Sequence, residues 1–348
     1  VQVFLVGPFA DAGLALAILG PGAAPQPATL GGLAGLLAGI ADAEAAARLA
    51  FHAAVHGADP VAADLDGQPV EVIAPSATPL AGKRFDSATP PSATFDRWRE
   101  IWREAAGEIL DCHGRQTPEE VRARLMMIWA RAESRLRARA APRPAPSGLD
   151  TRNLRLERLE RPYAKFFLVE DYVYSHDRFD GGDSGPLTRA AFVMADAVTV
   201  LPWDPVRDRV LVIEQVRVSP LARHDPVPWL LEPIAGRIDP GDTPEGTAHK
   251  EAMEEAGLRL GALHPIAEYY PSTGAFSEYI YSFLGIADLP DSAAGLGGLE
   301  TEGEDIRGHV MPRAELMARI AAGEIPVGPL LLSAFWLDAN AERLRGSG

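Results

Sequence analysis

Between Gly236 and Leu258 the chain reads GRIDPGDTPEGTAHKEAMEEAGL, and here its residue types could do chemistry. Glu251, Glu254 and Glu255 fall at i, i+3 and i+4, so a helix through them carries three carboxylates on one face. Like charges held that close repel, and such a face is either well solvated or expects a cation. Taken alone, EAMEEAG fits the solvated reading better. The other reading is a divalent-metal site for phosphate chemistry, since Mg²⁺ takes hard oxygen ligands and offsets charge on phosphate oxygens. A second acidic run, Glu300-Thr301-Glu302-Gly303-Glu304-Asp305, has by composition the look of a solvated loop.

Local signals indicate which elements position these groups. Thr243-Pro244 starts a helix, with a side-chain cap and a proline where no amide donor is needed. Gly257 can take the left-handed backbone that ends it. Strand texture runs over Phe166 to Tyr174, Ala197 to Trp203 and Arg209 to Arg217, the last two flanking a hairpin turn at Asp204-Pro205-Val206-Arg207-Asp208. Trp229 to Ala235 leads into the acidic stretch; His264 to Tyr270, Glu278 to Gly285 and Ile306 to Met311 follow as strands. Helices over Pro312 to Ala322 and from Pro329 to about Leu344 close the chain. Mixed strands with one central and two terminal helices predict an α/β/α sandwich.

Upstream, Val1 to Phe9 reads as a buried strand, followed by helical periodicity at Leu14 to Leu19 and Asp42 to Val55. Asp66-Gly67 marks a hairpin between Val61 to Leu65 and Val70 to Ile73. Residues 75 to 94 form an irregular connection. Phe95 to Leu110 is amphipathic, with Phe95, Trp98, Trp102 and Ile109 near one face. A capping box at Thr117 and Glu120 opens a helix running to about Arg139. Its Met126, Met127 and Trp129 read as core, and Arg131, Arg135, Arg137 and Arg139 as a solvated face. Ala141 to Ser147 (APRPAPS) suits neither a helix nor a sheet interior and marks a boundary.

The 348 residues suffice for two domains. A formal net charge of −15 argues against a nucleic-acid partner, because phosphate backbones call for a basic surface; small anionic substrates need only a few arginines or a metal. Cys112 is the sole cysteine, which excludes an internal disulfide and a cysteine-based zinc site. Residues 1 to 20 lack a basic start and contain Gly7-Pro8 and Asp11, unlike a signal peptide, while the missing initiator Met implies a processed or trimmed start. No run approaches the roughly 18 apolar residues of a membrane span. A cytoplasmic address without membrane partners is expected.

The whole acidic stretch resembles the Nudix box, Gly-x5-Glu-x7-Arg-Glu-U-x-Glu-Glu-x-Gly-U with U aliphatic. Gly236, Glu251, Glu254, Glu255, Gly257 and Leu258 match in register, while Asp242 replaces the first Glu, Lys250 the Arg, and Ala252 is small for U. RFDG at 178–181, DPVRD at 204–208, EQVR at 214–217, PWLLEPIAG at 228–236 and EGEDIRGHV at 302–310 extend the likeness to the ADP-ribose pyrophosphatase branch of the Nudix hydrolases, over residues 155 to about 345, with the domain taken as 155 to 348. The resemblance implies a Nudix α/β/α sandwich with a mixed sheet. It further implies Mg²⁺, or Mn²⁺ in its place, held by Glu251, Glu255, Glu304 and the carbonyl of Ala235. Glu254 would orient metal-bound water and Glu302 would serve as general base. Arg189 and Arg217 are candidates for phosphate contacts, against ordinary surface arginines, and Phe166 for base stacking, against a core role. Lys250 offers a point charge where the family's Arg forms a fork, so a weaker brace is expected. Ala190, where relatives often carry Glu, leaves base selectivity open.

Residues 1 to 140 resemble a degenerate γ-glutamylcyclotransferase-like domain, an α+β fold found ahead of Nudix domains in tellurite-resistance-type proteins, with 141 to 154 as linker. Val6-Gly7-Pro8-Phe9 stands at the family's Tyr-Gly-x-Leu, keeping only the Gly, and Ala53 replaces its catalytic acid. No cyclotransferase chemistry is expected there. The combined reading is Mg²⁺-dependent hydrolysis of a nucleoside-diphosphate sugar, ADP-ribose to AMP and ribose 5-phosphate, in a homodimer. GDP-mannose or another sugar nucleotide is the nearest rival substrate, and a non-catalytic nucleotide-sensing module the rival class.

Overall fold

A computed structural model describes residues 2–5, 9–30, 33–58, 60–65, 68–73, 93–299 and 303–345. The chain divides into two units, Val1–Phe192 and Val193–Gly348. The segment Val6-Gly7-Pro8, the Asp66-Gly67 turn, the connection over 75–92 and the expected base Glu302 lie outside the described residues.

In the first unit β1 (Gln2–Leu5), α1 (Ala12–Leu19), β2 (Gln26–Leu30), β3 (Leu33–Gly39), α2 (Ala43–Val55), β4 (Val61–Leu65) and β5 (Gln68–Ile73) are followed by three helices. These are α3 (Ala93–Leu110), α4 (Pro118–Arg122) and α5 (Leu125–Ala140). The sheet order is β2-β3-β1-β5-β4, with β1 parallel to β5 and its other pairs antiparallel. Trp98, Trp102 and Ile109 of α3 are buried as their spacing predicts, and Trp129 of α5 joins the same core. The capping box at Thr117 forms, but the helix it opens breaks at Ala123-Arg124 instead of running through to Arg139.

The expected arginine face is corrected by the fold. Arg131 is fully buried and ion-paired with Glu108 of α3, and Arg137 and Arg139 pair with Glu133 and Glu104. Glu104 and Glu108 brought over by α3, invisible to a single-helix reading, join Glu133 of α5 itself and turn a solvated stripe into a packed ionic seam. The seam extends to a three-stranded sheet of β6 (Leu154–Ala164), β7 (Leu168–His176) and β8 (Leu187–Val193), of which only the middle strand was expected. Arg135 reaches Glu170 of β7 at 3.5 Å, and Arg161 of β6 bonds Glu170 at 2.9 Å and pairs with Asp111.

The second unit forms the expected α/β/α sandwich around a mixed sheet. Its elements are β9 (Ala197–Asp204), β10 (Arg209–Val216), α6 (Val218–Ala222), β11 (Trp229–Glu232), β12 (Ile234–Arg237) and α7 (Pro244–Ala256). They continue with β13 (Leu263–Tyr269), β14 (Ile280–Ile286), β15 (Leu296–Gly297), β16 (Ile306–Pro312), α8 (Arg313–Ala321) and α9 (Gly328–Arg345). The order β13-β14-β9-β10-β16-β15 has β14 parallel to β9, while β11 pairs with β10 and β12 with β9. Pro233 splits the single strand expected over Trp229 to Ala235 into these two, because it has no N–H for the ladder. Alternate residues bury on opposite sides. Val198, Val200, Leu211 and Ile213 pack with Ala248 and Ala252 of α7, whereas Leu201, Trp203, Val210 and Val212 pack with Leu316, Leu330 and Leu337 of α8 and α9.

His52 and His56 stack at 4.5 Å, with Phe9 edge-on to both and Trp102 3.9 Å from His56. Burial, reinforced by the neighbouring His56, pushes His52 well below 6.5. Burial likewise lowers His56 to about 4, with Arg122 adding to it and the bond to the His52 carbonyl opposing it. Both imidazoles are therefore neutral when folded, so their contribution to stability is full above about pH 6.5 and is lost as pH falls toward 4. The shift at His56 is worth roughly 3 kcal/mol. Unfolding followed by tryptophan fluorescence should show the first unit weakening between pH 6.5 and 4, and replacing both histidines by leucine should flatten that slope. An equally steep slope in the double variant would refute the assignment.

Candidate active site

The acidic helix is α7, built as its ends predict. Thr243 Oγ1 accepts from the Gly246 N–H at 3.0 Å, and Gly257 closes the helix at φ +63°. Its carboxylates are not equivalent. Ala248, Ala252 and Glu255 recur at i, i+4 and i+7 on the sheet-facing side, so Glu255 is carried into the interior at 2% exposure while Glu251 and Glu254 are half-buried. Glu255 Oε2 accepts from the Ala235 N–H at 3.1 Å, which brings Ala235 of β12 against the helix. Burial pushes Glu255 up to about 8, with Glu251 and Glu304 adding to the shift and the Ala235 N–H and Arg217 opposing it.

Three glycines make room for this crowding. A Cβ on Gly236 would lie 2.0 Å from the Glu251 carboxyl carbon. One on Gly297 would meet the Glu255 carbonyl oxygen at 1.9 Å, and one on Gly298, whose φ is +93°, the Glu304 Cβ at 2.8 Å. The Gly298 N–H donates to the Glu254 carbonyl, and Glu304 Oε2 accepts from the Leu299 N–H at 3.1 Å. The loop carrying Glu304 is thus held against the C-terminal half of α7. Of the second acidic run, Glu304 is drawn into the cluster, and Glu302 falls outside the described residues.

Lys250 bonds Asp239 at 3.0 Å. Burial lowers its pKa, but Asp239, Glu254 and Glu251 outweigh that and hold the ammonium above its ordinary range. It therefore acts on the carboxylates as a nearby charge. Arg217, directly after β10, donates from Nε to Glu232 at 2.6 Å, and its charge reaches Glu255 and Glu278 as well. Glu232 and Glu278 are the residues that sequence reasoning missed. Glu232 lies within PWLLEPIAG, between two apolar neighbours and a proline, where an acid in a strand is itself a signal. Glu278 carried none. Arg189 and Phe166 belong to the first unit, Arg189 exposed on β8 and Phe166 exposed in the turn between β6 and β7. The core alternative for Phe166 is thereby removed.

Among the described residues no three of His, Cys, Asp and Glu converge tightly enough to form a metal cage. What the site offers is an acidic, partly desolvated set of oxygen donors on α7 and the Glu304 loop, a set that suits an ion binding anionic ligand and protein together.

Residues 194–331 match the family model described as NUDIX domain. The chain is 36% identical over 186 residues to the ADP-ribose pyrophosphatase of Escherichia coli strain K12, covering 53% of this chain and 88% of the relative. It is 35% identical over 189 residues to the ADP-ribose pyrophosphatase of Haemophilus influenzae, covering 53% and 86%. To the GDP-mannose pyrophosphatase of Citrobacter koseri it is 30% identical over 176 residues, covering 51% and 90%. This chain belongs to the Nudix family.

The glycine contacts separate two effects. Gly236→Ala should leave the urea midpoint nearly unchanged, because the flexible Glu251 side chain can swing away, but should take that carboxylate out of the cluster. Gly297→Ala meets backbone and should cost about 1–3 kcal/mol in the same denaturation measurement. Equal midpoints for the two variants would contradict this packing.

Proposed function

We propose that the chain hydrolyses the pyrophosphate bond of a nucleoside-diphosphate sugar, ADP-ribose to AMP and ribose 5-phosphate being the favoured case. The observation that carries this is the buried Glu255 in a cluster with Glu251 and Glu304, a charge arrangement that makes sense in the presence of a cation. Family membership and the named relatives support the same reading. The relative named GDP-mannose pyrophosphatase keeps that sugar nucleotide as a second reading.

The donor set fits Mg²⁺ or Mn²⁺: carboxylates of Glu251, Glu255 and Glu304 with the Ala235 carbonyl, all hard oxygens, few enough to leave positions for water and substrate. When bound, such an ion neutralises charge that develops on the phosphate oxygens and lowers the pKa of attached water. The chain's own groups supply the rest. Arg217 and Arg189 bind phosphate, Glu254 orients the attacking water, Glu302 accepts its proton, and Phe166 stacks on the base. Lys250 braces the glutamates through space. We assign residues 155–348 to the hydrolase domain and 141–154 to the linker. The alignments support this, since 186 matched residues exceed the length of the second unit and must enter the β6–β8 segment. Residues 1–140, with Ala53 at the position of the family acid, are assigned a structural or regulatory role on a γ-glutamylcyclotransferase-like fold. The working form is a cytoplasmic homodimer. Among the described residues, no helix is long and apolar enough to cross a membrane.

A panel of nucleoside-diphosphate sugars assayed with Mg²⁺ tests the reaction, and no turnover of any member would reject it in favour of a sensing module. Glu255→Gln should lower kcat at least about 100-fold with the fold intact by circular dichroism. Glu302→Gln should lower kcat by a similar order, about 100-fold or more, while Kd for substrate holds. A loss confined to Kd would remove Glu302 as the base.

A further inference from the structure

Arg217 lies among three carboxylates and hydrogen-bonds one of them. The alternation that turns Leu211 and Ile213 toward α7 continues through Gln215 to Arg217, so its side chain leaves β10 on the face that carries Glu255. Its backbone N–H donates to the Pro228 carbonyl at 2.9 Å, tying this end of β10 to the start of β11. Glu232 stands opposite Ile213 in the β10–β11 register, on the same face, and takes the guanidinium by its Nε edge at 2.6 Å. The buried Glu255 and the half-buried Glu278 also feel the Arg217 charge. Among the described residues the two terminal nitrogens of Arg217 make no hydrogen bond. Gln215, at 7% exposure on the same face, has an Nε2 without a partner among the described residues.

We infer that Glu232 is a positioning residue for Arg217: it grips the Nε edge, leaves the Nη pair open for two oxygens of a substrate phosphate, and keeps the cation off Glu255. A guanidinium has two edges that can each take a pair of oxygens, and the edge used inside the protein decides which one faces the ligand. Without a fixed anion behind it, Arg217 would be drawn to the nearest buried carboxylates. At Glu255 it would satisfy the charge that the proposed site reserves for a metal, so a binding group would become a competitor for the cation. Glu232 sits three residues before Ala235, and one turn of chain therefore carries both the arginine's anchor and the amide that holds Glu255. The inference rests on the pyrophosphatase reading for its substrate, but the coupling between Glu232, Arg217 and the cation site stands on the geometry.

The test uses the full chain with Mn²⁺ as probe. Electron paramagnetic resonance gives Mn²⁺ affinity without substrate, and steady-state kinetics on the panel member turned over gives KM and kcat. Glu232→Ala should weaken Mn²⁺ binding about tenfold and raise KM about tenfold or more, as loss of a half-buried charged partner does. Glu232→Ala with Arg217→Ala should restore Mn²⁺ affinity but not KM, a pattern that a merely structural role for Glu232 would not produce. Glu232→Gln, which keeps an acceptor for Nε but not the charge, should fall between, and it serves if the alanine variant does not fold. Wild-type Mn²⁺ affinity and KM in the single variants would overturn the assignment, as would a double variant no better than Glu232→Ala in Mn²⁺ binding. Failure of the wild-type enzyme to turn over any nucleotide sugar would instead reject the reaction, with the Mn²⁺ series still deciding the coupling.

Discussion

Glu255 is an acid in a place where an acid is costly. Ionised in the interior of a sandwich, a carboxylate loses its water and must be repaid by hydrogen bonds, opposite charge or a metal. Around Glu255 the protein supplies one amide, that of Ala235, and the charge of Arg217, while Glu251 and Glu304 make ionisation harder. The surroundings are thus short of positive charge. A helix that merely needed solubility would turn its acids outward, as Glu245 of the same helix is turned. The burial of Glu255 at i+3 from Ala252 is what separates a cation platform from a solvated face.

Much of the backbone around that residue is explained by it. For α7 to press against β12 and the Glu304 loop, the facing positions must be nearly bare of side chains, and Gly236, Gly297 and Gly298 are. The first of these belongs to the sequence motif; the other two sit in GLGGL, which looks like flexible loop until the Glu255 carbonyl is found against it. Pro233 contributes by ending β11 after Glu232, so that β12 can switch to β9 and present Ala235 to the helix. Strand switching, glycine clearance and the carboxylate cluster are one arrangement.

The sandwich and most of its elements were legible because they obey local rules: alternation in β9 and β10, a Thr-Pro start and Gly stop for α7, a capping box at Thr117. What stayed hidden depends on partners distant in sequence. The arginines of α5 look solvated until Glu104 and Glu108 of α3 are set beside them, and the break at Ala123-Arg124 has no Pro or Gly to announce it. β6 was missed because all but two of its residues are exposed, leaving no alternation of burial to read. Glu251, Glu254 and Glu255 stand out through the box spacing and Glu304 through the wider resemblance, whereas Glu232 and Glu278 meet the cluster only through Arg217, a relation that spacing cannot express.

Lys250 shows how such relations redistribute a motif's chemistry. A guanidinium at that position could grip one glutamate by a fork while spending its remaining donors elsewhere. The ammonium of Lys250 instead bonds Asp239, on the loop before α7, and reaches Glu251 and Glu254 only as a charge. Orientation of the glutamates must then come from elsewhere, and the structure indicates where: backbone amides and glycine-shaped walls fix Glu255 and Glu304, and the Gly236 gap fixes Glu251. A positive charge that need not aim a carboxylate can be a lysine. Lys250 and the three glycines thus divide between them what an arginine fork would do alone: charge from one, geometry from the others.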